Sequence, residues 1–259
     1  RGEQRRGRGR TGISSVRRCA GGPERRRRRR RQWRRRLRRL GTMFKRNDKK
    51  TLKPVKSQQT DRRATLSNHT KRTLGSGNLR AAVAVPEGEE RNEWIAANTV
   101  DFYNELSLLY GLCSDDAKRF TKPGEGFPPK FEYRWADNNS SKAIRVSSPE
   151  YVDYVMTWVE DQIDNEEIFP VQESQSFPVD FDDYIKGIFK RLFRIFAIIY
   201  HQHFKVIEEI DAAAHLNTCF KHFMFFTWEF NILEGEDREL EALHGPIEQL
   251  KAQYREQDK

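Results

Sequence analysis

The sequence predicts a mainly α-helical bundle carrying one small β-hairpin. Three observations predict it. Long stretches between 88 and 254 repeat apolar residues at steps of three and four, the period of a helix with a buried face. A single short stretch, 131–148, alternates instead, as a half-buried strand pair does. Gly- and Pro-bearing segments at 112–130 and around Pro170 and Pro178 separate these stretches.

Each element follows from its residues. Gly75 and Gly77 mark a turn at the start of the folded part. Residues 88–111 form a helix with Trp94, Ile95, Val100, Tyr103, Leu106 and Leu109 facing inward, acids in its first turn and Gly111 at its end. The helix dipole favours that placement of acids, and glycine suits a helix C-terminus. Residues 112–130 are a loop. Alternation in 131–135 and 144–146 around a polar turn is the hairpin. Ser148, Pro149 and Glu150 start a helix that runs to about Ile163, with a serine cap and a proline at the first position. Residues 181–206, 209–230 and 237–254 are three further helices.

Charge divides the chain into three parts. Residues 1–42 carry 19 Arg against Glu3 and Glu24, and residues 43–72 carry ten bases against two acids. The rest is acidic, with 19 bases and 34 acids, a net of −15. Residues 1–42 cannot bury a core; they read as translated upstream sequence ahead of a start at Met43, or else as an RNA-binding or nuclear-targeting tail. Residues 43–72 read as a flexible basic arm, and 73–255 as the folded domain. A domain at −15 points to a basic protein surface as its partner rather than a nucleic acid.

Three cysteines, Cys19, Cys113 and Cys219, make no disulfide framework, which suggests a reducing intracellular compartment. The longest apolar runs, such as IFAIIY at 195–200, are too short to cross a bilayer. There is no Gly-rich phosphate loop, no nucleophile elbow and no HExxH pair, so no enzyme and no small-molecule substrate is expected.

Two charged patterns stand out. Glu89, Glu90, Glu93 and Asp101 fall along the first long helix, with Glu89 and Glu93 four apart on one face. Lys186, Lys190, Arg191 and Arg194 fall within nine residues, opposite Ile185, Ile188, Phe189, Leu192, Phe193 and Phe196 on a helical projection. Arginine offers a planar fork of donors that matches phosphate oxygens. Either pattern is also what a solvated helix face looks like.

Several long words in order resemble the Mob family, closest to its kinase-activating class. They include PEGEERNEWIAANTVDFYN (86–104), EYRWAD (132–137), TWVEDQIDNEEIFP (157–170), KRLFRIFAIIYHQHF (190–204) and AHLNTCFKHFMFF (214–226). The resemblance covers about 73–252 and reaches weakly back to KTLKPVK at 50–56. It implies a four-helix bundle core and a non-catalytic adaptor acting in cell-cycle, growth or polarity control. The expected locations are the cytoplasm, the nucleus, spindle poles and the cell cortex.

The resemblance also assigns residues. Glu89, Glu90, Glu93 and Asp101 would contact the basic N-terminal regulatory segment of an NDR/LATS-type kinase. Lys190, Arg191 and Arg194 would contact a phosphothreonine of an upstream Hippo/Ste20-type kinase. Thr51 and Thr73 match regulatory phosphorylation sites. One branch of the family assembles with phosphatases instead. The zinc that most members hold with two Cys and two His would fall here at Ala117, Lys122, Ile198 and His203. Only one of these is a ligand type, so no metal or other cofactor is expected, although Cys113, Asp115 and Asp116 lie nearby in sequence.

Overall fold

The computed structural model describes residues 78–136, 142–172 and 175–257. The expectations placed on 1–42, on 43–72, on the Gly75 and Gly77 turn and on Thr51 and Thr73 lie outside them. The elements run α1 (Leu79–Val83), α2 (Arg91–Leu112), α3 (Ser114–Ala117), β1 (Arg134–Trp135), β2 (Ile144–Arg145), α4 (Ser148–Ile163) and α5 (Phe181–Ile198). A π-helical turn (Ile199–His203) comes next, then α6 (Phe204–Glu209), α7 (Ala213–Glu229), α8 (Asp237–Leu240), a 3-10 turn (Glu241–Leu243) and α9 (His244–Glu256). The chain is therefore mainly helical with one two-stranded antiparallel sheet, in which Arg134 faces Arg145 and Trp135 faces Ile144.

α2 is the central helix. Every residue from Trp94 to Val100 is buried, so the helix is covered on all sides near its start. This explains its mixed apolar spacing, because a helix buried all round shows no single stripe. Trp94 is wholly buried and its indole N–H donates to the Val83 carbonyl at 2.9 Å. That bond pins α1 against α2.

α5 packs on α2, and α7 packs on the same helix. The three meet at an aromatic junction. Phe102 of α2 lies edge-on to Phe189 of α5 at 5.7 Å and to Phe223 and Phe226 of α7, each at 5.4 Å. Phe189 in turn stacks on Phe223 at 5.1 Å. Offset and edge-on pairs are the favoured geometries of ring quadrupoles.

α4 begins one residue earlier than its sequence suggests. Ser147, not Ser148, is the cap, and the Glu150 carboxylate accepts from both the Ser147 amide and hydroxyl at 2.9 Å. The preceding loop docks on this first turn, with the Ser148 amide donating to the Glu125 carbonyl at 2.9 Å. Gly126 has a φ of +81°, and a Cβ there would lie 2.1 Å from Ser148 Oγ and 2.7 Å from the Phe120 ring. Only glycine fits.

Two expected helices are interrupted. The stretch 181–206 is divided by the wide turn Ile199–His203 and resumes as far as Glu209; a π-turn holds one extra residue and rotates the helix beyond it. The stretch 237–254 is broken at Glu241–Leu243. Pro246 then lies in the first turn of α9, where a missing N–H costs no helical bond.

His222 of α7 is buried against the Phe102 ring, at 4.7 Å between centroids, and its Nε2 finds no hydrogen-bond partner among the described residues. Burial pushes its pKa down to about 4. The unfolded chain thus binds a proton that the folded chain refuses between pH 6.5 and 4. This contribution to stability is present above pH 6.5 and is lost as pH falls through that window. Denaturant titrations at steps from pH 7 to pH 4 should show His222→Leu losing less stability with acid than wild type, with the difference growing at no more than about 1.4 kcal/mol per pH unit. Parallel curves would mean His222 is not held neutral.

Candidate functional site

The expected acidic row is only partly a helix face. α2 starts at Arg91, so Glu89 lies in the turn before it, its amide donating to the Pro86 carbonyl at 3.1 Å, and Glu90 is the extended capping residue. Glu93 and Asp101 are on α2 itself, both half-buried, while Glu90 is exposed. Arg91 is drawn across to Asp182 at the start of α5, at 2.8 Å. Negative charge is not confined to α2. Glu160, Asp164 and Asp161 at the end of α4 face the α2 residue Tyr103, whose pKa is raised by burial first and by these three acids after it. The helical spacing of α2 gives no hint of these acids, though 160–167 holds five acids and no base.

The basic cluster differs more from expectation. Lys186 is exposed, but Lys190, Arg191 and Arg194 are half-buried and engaged, not a solvated face. Lys190 Nζ lies 2.7 Å from a Glu236 oxygen and 4.0 Å from Glu239. Arg194 forks onto the Glu239 carboxylate through Nε, at 3.0 Å, and Nη2, and its Nη1 donates to the Tyr151 hydroxyl at 3.0 Å. Its guanidinium also lies over the Tyr133 ring at 5.0 Å. Burial alone would lower the Arg194 pKa; the bonds to Glu239 and Tyr151 outweigh it and raise it.

Arg191 is held otherwise. Its guanidinium lies over Trp158 at 4.2 Å and donates one bond, to the Gly187 carbonyl at 3.0 Å. No carboxylate pairs with it among the described residues. Burial lowers its pKa, and neighbouring Arg194 adds to this. It remains charged at any ordinary pH. A cleft of about 830 Å³ opens beside Arg194, between Lys130–Arg134 and Asp237–Glu241. Tyr151, Trp158, Glu236 and Glu239 are thus part of this site. Sequence periodicity could not supply them, because other elements bring them to α5.

The family zinc positions do not fit a metal. Ala117 and Ile198 are buried hydrocarbon and Lys122 is exposed. His203 is buried, and its Nδ1 lies 2.7 Å from Asp116 Oδ2. Burial pushes the Cys113 thiol up to about 12, and that thiol donates to the Leu109 carbonyl. Among the described residues no three His, Cys, Asp or Glu groups converge on a point. A polar clasp stands there instead. Arg119 reaches the Gln202 carbonyl at 2.6 Å and Asp116 at 3.4 Å, and the Gln202 amide reaches the Phe127 carbonyl at 2.7 Å. Together with Asp116 and His203, these bonds join residues 116–127 to the π-turn. His201 lies apart from the clasp, with Nε2 2.7 Å from the Ala242 carbonyl.

Comparison with known proteins agrees with this architecture. The Mob1/phocein family model matches residues 71–243. The chain is 48% identical over 206 residues to a MOB kinase activator-like 1A of Medicago sativa subsp. falcata, covering 78% of this chain and 96% of that one. It is 47% identical over 209 residues to a MOB kinase activator-like 1A of Arabidopsis thaliana, covering 80% and 96%. It is 48% identical over 197 residues to a MOB kinase activator-like 1 homolog B of Dictyostelium discoideum, covering 75% and 91%. With its sequence words, helical core and family match all in agreement, the chain belongs to the Mob1/phocein family.

Proposed function

We propose that this chain is a non-catalytic kinase-activating adaptor whose acidic face docks a basic helix of an NDR/LATS-type kinase. The observation that carries this is the negative charge on and around α2: Glu93 and Asp101 on the helix, Glu89 and Glu90 just before it, and the α4 acids near Tyr103. Complementary charge speeds encounter and sets register. The relatives, all named MOB kinase activator-like, support the kinase-activating part of this reading. The binding unit is the Mob domain of residues 73–255. Lys190, Arg191 and Arg194 hold a phosphothreonine of an upstream Hippo/Ste20-type kinase, so that one chain brings two kinases together. No metal or other cofactor takes part. The protein works in the cytoplasm and nucleus.

The arm of residues 43–72 is the regulator. It is basic where the domain is acidic, so it competes for the docking face. Phosphate on Thr51 and Thr73 adds about −1.5 to −2 charges each and weakens that competition.

Three measurements test these statements. Titration of the kinase segment against Glu89→Lys and Glu93→Lys should show binding weakened by about 1–3 kcal/mol, more at low salt, with circular dichroism unchanged. Deleting 43–72 should strengthen binding in the same assay. Wild-type affinity in both Lys variants would place docking elsewhere, and an unchanged deletion would leave the arm a tether.

A phosphothreonine peptide from the upstream kinase should bind where its unphosphorylated counterpart does not. Arg194→Ala should cost about tenfold or more. Equal affinity for the two peptides would return the cluster to a purely structural role.

Elemental analysis should find well under one zinc per chain, and a chelator should leave the melting temperature where it was. A stoichiometric zinc with unfolding on chelation would contradict the absence of a metal.

A further inference from the structure

Two of the three cations in the α5 cluster already hold carboxylates from the segment after Gly235. The two carboxylates are not equivalent. Glu239 grips Arg194 through two donors in a place where both side chains are less than a fifth exposed, and Tyr151 braces the same guanidinium. Its fork is a fixed, charge-assisted pair. Glu236 makes a single bond to the end of a flexible lysine, with side chains 35% and 31% exposed. It comes directly after Gly235, whose φ is +80° and where nothing lies within 4 Å of an added Cβ. The Glu236 backbone is anchored, its amide on the Leu233 carbonyl and its carbonyl on the Glu239 and Leu240 amides, but its side chain has only the one bond to Lys190.

Charge decides which of them yields. Three cations and two carboxylates leave the cluster one positive charge, carried by the uncompensated Arg191. A phosphothreonine brings nearly two negative charges. With both carboxylates in place the site would become net negative; with Glu236 swung out it becomes neutral. A carboxylate from a peptide can neutralise Arg191 without any exchange, but it gains nothing by displacing Glu236 to reach Lys190 as well. It would replace one singly charged acceptor by another and forfeit the advantage of a group tethered at the site.

We propose that Glu236 is an internal anion that occupies Lys190 until a dianionic phosphate displaces it, so that the site favours phosphothreonine over acidic peptides. Glu239 remains bound throughout and positions Arg194. This rests on the reading of Lys190, Arg191 and Arg194 as phosphate-binding. The displaced Glu236 frees the lysine for one phosphate oxygen while Arg191 takes another.

The test uses the full chain and three alanine pentapeptides with phosphothreonine, threonine or glutamate at the centre. Binding is followed by nuclear magnetic resonance through the arginine Nε–H signals, which tolerates weak affinity. Wild type should bind the phosphothreonine peptide, bind the glutamate peptide far more weakly and not bind the threonine peptide. Glu236→Gln should bind the phosphothreonine peptide roughly three- to tenfold more tightly and should also gain affinity for the glutamate peptide. Glu239→Gln should bind the phosphothreonine peptide more weakly. The substitution at 236 leaves in place the backbone bonds that Glu236 makes to the amides of Glu239 and Leu240, and an unchanged melting curve checks this. If wild type binds phosphothreonine and Glu236→Gln binds it no more tightly, the displacement is wrong and the phosphate site stands. If neither protein binds it, both fall.

Discussion

Burial of one face of α5 places every charged group on the other. Ile185, Ile188, Phe189, Leu192, Phe193 and Phe196 are all essentially inaccessible, and each such side chain contributes on the order of 1.5–3 kcal/mol when removed from water. The Phe102 junction locks this face against α2 and α7 at once. A helix so held cannot roll, so the backbone of Lys190, Arg191 and Arg194 is fixed, and the two guanidinium groups are held as well. The entropy of ordering them has been met by folding, so any partner these guanidinium groups meet does not have to supply it.

The price of that order is partial burial of three positive charges. The structure meets it by two different means. Lys190 and Arg194 are neutralised by carboxylates from one short C-terminal segment. Arg191 is covered by the indole faces of Trp158 and Trp135, which attract a cation without cancelling its charge. The cluster therefore keeps a positive potential while remaining compatible with a stable fold. The acidic face is arranged on another principle. Its carboxylates are spread from the turn before α2, through Asp101 in the middle of that helix, to the end of α4.

Much of this is legible in the residues. The apolar period of α5 and the alternation at the hairpin predict the elements that form, and the long family words predict the fold. Trp94 is a buried anchor, as its spacing implies. The departures share one cause. A projection of α5 treats everything opposite its apolar face as solvent, whereas α8 and α4 cover part of that face through Glu239 and Tyr151. Likewise the spacing puts Glu89 on a helix that begins two residues later. Local pattern reports which side of a helix is apolar. It does not report which distant segment returns to the polar side, because that contact is specified by tertiary packing alone. The same holds for the clasp between Asp116 and His203, partners 87 residues apart.

The tight fit at Gly126 has a consequence far from the loop that contains it. The Ser148 hydroxyl it touches belongs to the first turn of α4, and Tyr151 stands one turn further along. A side chain at 126 would collide with the Ser148 hydroxyl and the Phe120 ring, and any yielding of that turn would carry the Tyr151 hydroxyl away from Arg194. The loop thus works as a spacer beside the cation cluster. On the phosphate-binding reading proposed above, a substitution within it would present as a defect in ligand recognition, although the altered residue would touch neither the ligand nor any group that binds it.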